Sequence, residues 1–130
     1  MATIFSKIVS GEIPAYKVAE SDKYLAFLDI NPLAEGHTLV IPKNETDYIF
    51  DINDEEYEGL WLFAKKVAKS IKKVIACKKI GVAVIGLEVA HAHIHLVPIN
   101  DIFDIDFKKE KLKIPEERFR EIARKISENL

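Results

Sequence analysis

The sequence has a single cysteine, and no apolar run approaches the roughly 20 residues that a membrane-spanning helix needs. Cys77 cannot form an internal disulfide, and one cysteine excludes a Cys-x-x-Cys metal knuckle. The segment from Met1 to Gly11 lacks the organisation of a cleavable signal peptide, because Lys7 interrupts its apolar stretch. These absences favour a reducing compartment and predict a cytoplasmic protein.

The chain also lacks a strong net charge. Its 19 Lys and Arg residues nearly balance its 21 Asp and Glu residues, giving a net charge of −2. No electrostatic field therefore attracts it to a polyanion or an anionic membrane, so neither nucleic acid nor membrane is an expected partner. At 130 residues, 48% of them apolar, the chain is long enough for a substantial core, and we expect one domain over residues 1–130.

The spacing of apolar residues predicts an α+β fold. Thr3 caps a short N-terminal helix, a long helix runs from Asp54 to about Lys78 behind the N-cap Asn53, and Pro115 opens a C-terminal helix. Five strands are predicted over Tyr16–Glu20, Tyr24–Asp29, His37–Ile41, Val82–Leu87 and His91–Pro98. Together these elements form a sheet of about five antiparallel strands with the long helix packed on one face.

The segment His91-Ala92-His93-Ile94-His95 is the most unusual feature of the sequence. Side chains alternate along a strand, so its three histidines are predicted to share one face while Ala92 and Ile94 face the core. Burying several neighbouring imidazoles without partners is costly, so three at strict alternation indicate a functional site. His37 begins another strand and is expected to lie nearby.

Two kinds of chemistry fit this cluster of imidazoles. A neutral ring can attack phosphorus while its neighbours donate hydrogen bonds to the developing negative charge. Alternatively, two or three histidines spaced i, i+2 on a strand can coordinate zinc, with water in the open position. The residues by themselves leave these two interpretations nearly equal.

The segment from His91 to Val97 resembles the His-φ-His-φ-His-φ-φ signature of the histidine triad (HIT) nucleotide-binding family, where φ is an apolar residue. Further segments are similar in order and spacing to the Hint branch of that family, and the likeness covers roughly residues 3 to 99. These segments are Ile4–Ile8, Glu12–Ala15, Phe27–Pro32 and Gly36–Lys43. The resemblance implies a HIT-like fold and a homodimer. It also implies metal-independent hydrolysis of nucleoside 5′-phosphoramidates or related adenosine 5′-phosphoryl compounds.

The resemblance also assigns roles to individual residues. His93 matches the nucleophile that becomes nucleotidylated, and His95 matches the residue that hydrogen-bonds the phosphate. His91 and His37 match the residues that orient the cluster, and Asp29 matches the residue that binds the ribose hydroxyls. Five apolar residues match the purine slot, although each would serve equally well as ordinary core: Ile4, Phe5, Ile8, Phe27 and Ile30.

The sequence departs from the family pattern just before the triad. Leu87 replaces a glutamine, and Glu88 stands where a small hydroxyl residue often contacts the phosphate. We include Glu88 and Val89 among the predicted substrate-binding residues, although strand alternation predicts that Glu88 points away from the histidines. In the alternative arrangement, Glu88 meets a cationic leaving group such as an amine.

Three other functions remain open at this stage. The same residues would serve a dinucleoside polyphosphate hydrolase, or a nucleotide-binding protein with little catalysis. The histidines would also serve as an adventitious zinc site, although no metal or other cofactor is expected to be required. Residues 100–130 lie outside the resemblance and form a variable extension about which it implies nothing.

Overall fold

The computed structural model describes residues 2–130 and contains one five-stranded antiparallel sheet and three α-helices. The strands are β1 (Lys17–Glu20), β2 (Tyr24–Leu28), β3 (Thr38–Pro42), β4 (Lys79–Ala83) and β5 (Ile94–Ile99). The helices are α1 (Ile4–Ser10), α2 (Asp54–Val74) and α3 (Glu116–Glu128), with short 3-10 helices at Ile49–Asp51 and Ile102–Ile105. This architecture confirms the predicted α+β class, the strand number and the three predicted helices.

The strand order is β1-β2-β3-β5-β4, so β5 lies between β3 and β4. Residues of β5 pair with both neighbours: Leu96 lies opposite Thr38 on one side and Val82 on the other. A central strand is covered on both faces, which explains why the side chains from Ile94 to Pro98 are all buried.

The two faces of the sheet carry different layers. On one face α2 and α3 cover a large core that includes Val40, Ile94 and Leu96. On the other face the short helix α1 covers a smaller core, in which Phe5 and Ile8 meet the strand residues Leu25, Phe27, Leu39 and Ile41. His95 lies opposite Leu39 in the strand register, so it belongs to the α1 face.

Both predicted N-caps are present. The Thr3 hydroxyl accepts from the Ser6 backbone N–H, and the Asn53 side chain accepts from the Glu56 backbone N–H. Helix α2 ends at Val74, earlier than the predicted Lys78. The backbone N–H of Lys78 instead donates to the carbonyl oxygen of Ile99, so the chain after α2 is already hydrogen-bonded to the end of β5.

Two predicted strand boundaries are wrong. The strand predicted at Val82–Leu87 occupies Lys79–Ala83, and the strand predicted at His91–Pro98 occupies Ile94–Ile99. Residues 84–93 form an irregular loop between them. The backbone of this loop bonds outside the sheet: the N–H of Ala92, for example, donates to the carbonyl oxygen of Thr46, 2.6 Å away. Apolar alternation continues through this loop, so the pattern by itself begins β5 too early and ends β4 too late.

Within residues 2–130, no helix combines the length and the apolar character that crossing a membrane requires.

Candidate active site

The four histidines form one buried cluster, each with 8% or less of its surface exposed. His95 lies on β5 and His37 immediately precedes β3, whereas His91 and His93 belong to the loop before β5. The ring centroids of His93 and His95 are 4.9 Å apart, and those of His37 and His95 are 5.2 Å apart. The prediction of one strand face bearing three histidines is therefore wrong in its geometry, although the four rings converge.

The proton of His93 is placed by a backbone carbonyl. Nδ1 of His93 lies 2.8 Å from the carbonyl oxygen of His91, and a carbonyl oxygen can only accept. Nδ1 therefore carries the hydrogen and donates it. Since a neutral imidazole carries one N–H, Nε2 of His93 keeps a free lone pair.

The proton of His95 is placed by a two-step relay that starts at a backbone amide. The N–H of Leu33 donates to Nδ1 of His37 over 3.0 Å, so the hydrogen of His37 is on Nε2. Nε2 of His37 lies 3.0 Å from Nδ1 of His95, which must accept. The hydrogen of His95 is consequently on its own Nε2, where it is available as a donor.

His91 has a different position from the other members of the triad. Its Nε2 donates to the carbonyl oxygen of Pro42 over 2.7 Å, and its Nδ1 accepts from the Thr3 hydroxyl at 3.3 Å. His91 thereby connects the end of β3 to the cap of α1. Its side chain does not line the cavity described below.

Burial keeps three of the four imidazoles neutral. Burial lowers the pKa of His37 to about 3, assisted by the nearby His95 and Lys111. Burial, with the neighbouring His93, lowers the pKa of His95 to about 4, and burial also lowers the pKa of His91. Removal from water disfavours the charged form of an imidazole, so these rings act as neutral donors and acceptors near pH 7.

A cavity of about 430 Å³ opens beside His93 and His95. All eight residues predicted to bind substrate line it: Ile4, Phe5, Ile8, Phe27, Asp29, Ile30, Glu88 and Val89. Several of these, including Phe5 and Phe27, also belong to the core beneath α1, so the two interpretations of the apolar set are compatible.

Asp29 lies where the apolar and polar parts of this cavity meet. One of its oxygens accepts from the backbone N–H of Asn31 over 2.8 Å, and the other lies 3.6 Å from Nε2 of His37. Burial raises the pKa of Asp29, and the nearby Glu88 raises it further, while the Asn31 amide, His93 and Lys111 lower it. Asp29 is thus a half-buried carboxyl group with acceptor capacity directed into the cavity.

Glu88 does not point away from the histidines as strand alternation predicts. It lies in the irregular loop, is exposed, and lines the same cavity as His93. The neighbouring Leu87 also reaches the cavity but leaves 89% of its surface exposed. The loop therefore places a carboxylate and an apolar side chain at the mouth of the site.

Sequence reasoning missed one prominent residue of the site, Phe107. Its ring contacts His95 edge-to-face with centroids 4.7 Å apart, and it lines the cavity. The available signal was a lone aromatic residue within a polar connector, which is too weak to assign a partner.

The cluster also contains a candidate set of metal ligands. An oxygen of Asp29 and ring nitrogens of His37 and His95 lie within 4.8 Å of one another. The hydrogen bonds do not fit metal binding, because the Leu33 amide occupies Nδ1 of His37 and thereby keeps a proton on Nε2. A protonated ring nitrogen has no lone pair to offer a metal. Zinc would need this histidine to abandon its backbone partner.

The depressed histidine pKa values predict a loss of stability in acid. Below about pH 6.5 the unfolded chain takes up protons that folded His37 and His95 do not bind, so the free energy of unfolding falls as the pH falls toward about 4. Each histidine contributes up to about 1.4 kcal/mol per pH unit. Urea titrations at several pH values measure this slope, which His95→Gln should reduce. An unfolding free energy independent of pH in this range would contradict the neutral cluster.

Comparisons with known proteins identify the family to which the chain belongs. Residues 10–102 match the HIT domain family model. The chain is 38% identical to an uncharacterized HIT-like protein of Borreliella burgdorferi, over 98% of this chain and 97% of that one. It is 33% identical to the adenosine 5′-monophosphoramidase hnt1 of Schizosaccharomyces pombe, over 100% of this chain and 99% of that one.

Solved structures give the same result. A Hit-like protein from Bartonella henselae superposes with a TM-score of 0.85 at 34% identity, covering 98% of this chain and 96% of that chain. A zinc-bound histidine triad family protein from Mycobacterium smegmatis superposes with a TM-score of 0.82 at 28% identity, covering 98% and 95%. With the four converging histidines and the matched domain, the chain belongs to the HIT family.

Proposed function

We propose that this protein is a nucleotide-binding hydrolase that cleaves nucleoside 5′-phosphoramidates, or related adenosine 5′-phosphoryl compounds, through a covalent nucleotidyl-His93 intermediate. The observation that carries the proposal is the arrangement of hydrogen bonds, which leaves a lone pair on Nε2 of His93 beside an N–H on Nε2 of His95. The similarity to an adenosine 5′-monophosphoramidase supports this choice of substrate.

The cavity offers complementary surfaces to the parts of a nucleotide. The apolar side chains of α1 and β2, among them Ile8 and Phe27, provide a slot for a flat purine. Asp29 is held by the Asn31 amide and can accept hydrogen bonds from the two ribose hydroxyls. In this binding mode the α-phosphate would lie next to His93 and His95, which line the same cavity.

The proposed first step forms a bond between Nε2 of His93 and the α-phosphorus, and breaks the bond from phosphorus to the leaving nitrogen. The bonding electrons pass to that nitrogen, which departs as an amine after taking up a proton from solvent. The His93 ring gains positive charge as it attacks, and its Nδ1–H bond to the His91 carbonyl becomes stronger. His95 donates its Nε2–H to a phosphate oxygen as negative charge develops there.

The second proposed step hydrolyses the bond between His93 and the nucleotide. Water attacks the same phosphorus and gives up a proton to solvent, the bond from phosphorus to Nε2 of His93 breaks, and its electrons restore the lone pair of His93 as the nucleoside monophosphate leaves. Apart from water and solvent protons, both steps use only side chains and backbone groups of this chain, so no cofactor is part of the proposal. A phosphoanhydride would be cleaved in the same way, with a phosphate as the leaving group.

The intermediate is the most direct test of this function. Mixing the protein with adenosine 5′-phosphoramidate and quenching in base should give one added adenylyl group on His93 by mass spectrometry, with or without a chelator. His93→Asn should abolish turnover, a loss of at least about a thousandfold for removal of the nucleophile, while AMP binding persists.

Three outcomes would contradict this proposal in different ways. An adduct that disappears with the chelator would favour a metal site at the histidines. Faster turnover of dinucleoside polyphosphates than of phosphoramidates would favour the alternative hydrolase. Nucleotide binding with no adduct and no turnover would indicate a binding protein.

Glu88 is proposed to select the leaving group. A carboxylate at the cavity mouth attracts a cationic leaving amine and repels an anionic one. Glu88→Gln should therefore reduce the preference in kcat/KM for a phosphoramidate bearing a cationic amine over a neutral one. The expected reduction is about fivefold, corresponding to about 1 kcal/mol for an exposed ion pair. Glu58→Gln, an exposed change on α2, is the matched control. An unchanged preference in Glu88→Gln would refute this role.

A homodimer is also proposed, formed through the sheet edge at β4. In residues 2–130, β4 pairs only with β5 and leaves its other edge unpaired. Exposed apolar side chains lie on β4, on the loop after it, on α2 and on the segment before α2: Val82, Ile85, Leu87, Leu62, Tyr48 and Phe50. Four of them, Tyr48, Phe50, Ile85 and Leu87, line one cavity. Such a concentration of exposed apolar residues is typical of an interface.

A single domain over residues 1–130 is also proposed, because the helices and strands of residues 2–130 pack around one sheet.

Sedimentation velocity measures this assembly. The unmodified chain should sediment as a dimer, and Leu62→Glu should convert it to a monomer, because burying an unpaired carboxylate at an interface is costly. Leu130→Glu, an equally drastic change just beyond the C-terminal end of α3, should leave the dimer intact. A monomeric unmodified chain at micromolar concentration would contradict the proposal.

A further inference from the structure

Four rings lie in a row across the candidate active site. Phe5 contacts His93 with centroids 4.9 Å apart, His93 contacts His95 at 4.9 Å, and His95 contacts Phe107 at 4.7 Å. Every contact in the row is close to edge-to-face, with interplanar angles of 78°, 63° and 71°. The two histidines that perform the proposed chemistry are therefore enclosed between two phenylalanines.

The two phenylalanines come from opposite ends of the chain. Phe5 lies on α1, within the segment that resembles the Hint branch. The match to the HIT domain ends at residue 102, so Phe107 lies beyond it. Its segment is nevertheless fixed in place, because the N–H of Leu112 donates to the carbonyl oxygen of Pro32, 2.9 Å away. Nζ of Lys111 donates to the carbonyl oxygen of Phe107 itself, 2.5 Å away.

The hydrogen bonds of His95 do not fix its ring by themselves. Its Nδ1 accepts from His37, and in the part of the chain that the structure describes no other group bonds to its ring nitrogens. A ring held at one nitrogen can tilt about that bond. His93 limits the tilt on one side, and the half-buried ring of Phe107 limits it on the other.

We propose that Phe107 is a positioning residue for His95, which holds the imidazole at the angle that directs its Nε2–H into the cavity. The inference rests on the proposed function, and it extends the active site into the segment after the HIT domain. Edge-to-face contacts between aromatic rings have a preferred geometry, and Phe107 uses it to restrict His95 as Phe5 restricts His93. The contact acts on the step in which charge develops on the phosphate. Its loss is therefore expected to lower kcat more than it raises KM, although Phe107 also lines the cavity.

The test compares three variants of the full chain. Phe107→Ala removes the contact, Phe107→Leu keeps apolar volume at the same position, and Phe103→Ala changes an aromatic residue of the same segment that is 75% exposed and does not line the cavity. Phe107→Ala should lower kcat for adenosine 5′-phosphoramidate about tenfold, since small misplacement of a reacting group costs one to two orders of magnitude. KM should change less than about twofold, Phe107→Leu should recover part of the loss, and Phe103→Ala should match the unmodified protein.

A second measurement needs no substrate. With carbon-13 in the histidine rings, relaxation gives an order parameter for the His95 ring in the ligand-free protein, and Phe107→Ala should lower it while leaving that of His91 unchanged. An unchanged His95 order parameter, a rise in KM without a fall in kcat, or an equal effect of Phe103→Ala would overturn the inference. If the unmodified protein does not hydrolyse the phosphoramidate, the proposed function fails, and the ring measurement alone decides whether Phe107 positions His95.

Discussion

Backbone groups determine which nitrogen of each histidine carries its proton, and the chemistry of the site depends on that assignment. The Leu33 amide can only donate and the His91 carbonyl can only accept. From these two contacts it follows that His93 has a lone pair on Nε2 and His95 has a hydrogen there. Both groups are held by the fold around β3 and β5, so the site is assembled before any ligand arrives.

Burial and hydrogen bonding act together in this cluster. Four imidazoles in an apolar environment would be costly if their nitrogens lacked partners. Here one nitrogen of His93, one of His95 and both nitrogens of His37 and His91 have partners at 2.7–3.3 Å. Burial also lowers the pKa of His37, His91 and His95, so neutral rings are available near pH 7. Helix α1 on one side and the segment around Phe107 on the other provide the cover.

The sequence predicts the elements and the site residues better than it predicts their arrangement. Short-range signals were sufficient for the caps at Thr3 and Asn53, and alternation correctly placed Ala92 and Ile94 in the core. The loop over residues 84–93 was not predictable, because it is fixed by contacts distant in sequence, such as the amide of Ala92 with Thr46. The same limit explains the wrong orientation of Glu88 and the missed Phe107, whose partners lie on other elements.

Long-range proton–nitrogen correlation spectra of the nitrogen-15-labelled histidine rings show which nitrogen of each ring carries the hydrogen. Ligand-free His93 should carry its hydrogen on Nδ1 near neutral pH, because that nitrogen donates to the His91 carbonyl oxygen. His37, His91 and His95 should carry theirs on Nε2 under the same conditions. A spectrum with the hydrogen of His93 on Nε2 would remove the proposed nucleophile, and one with the hydrogen of His95 on Nδ1 would remove the proposed phosphate donor; either result would overturn the proposed chemistry.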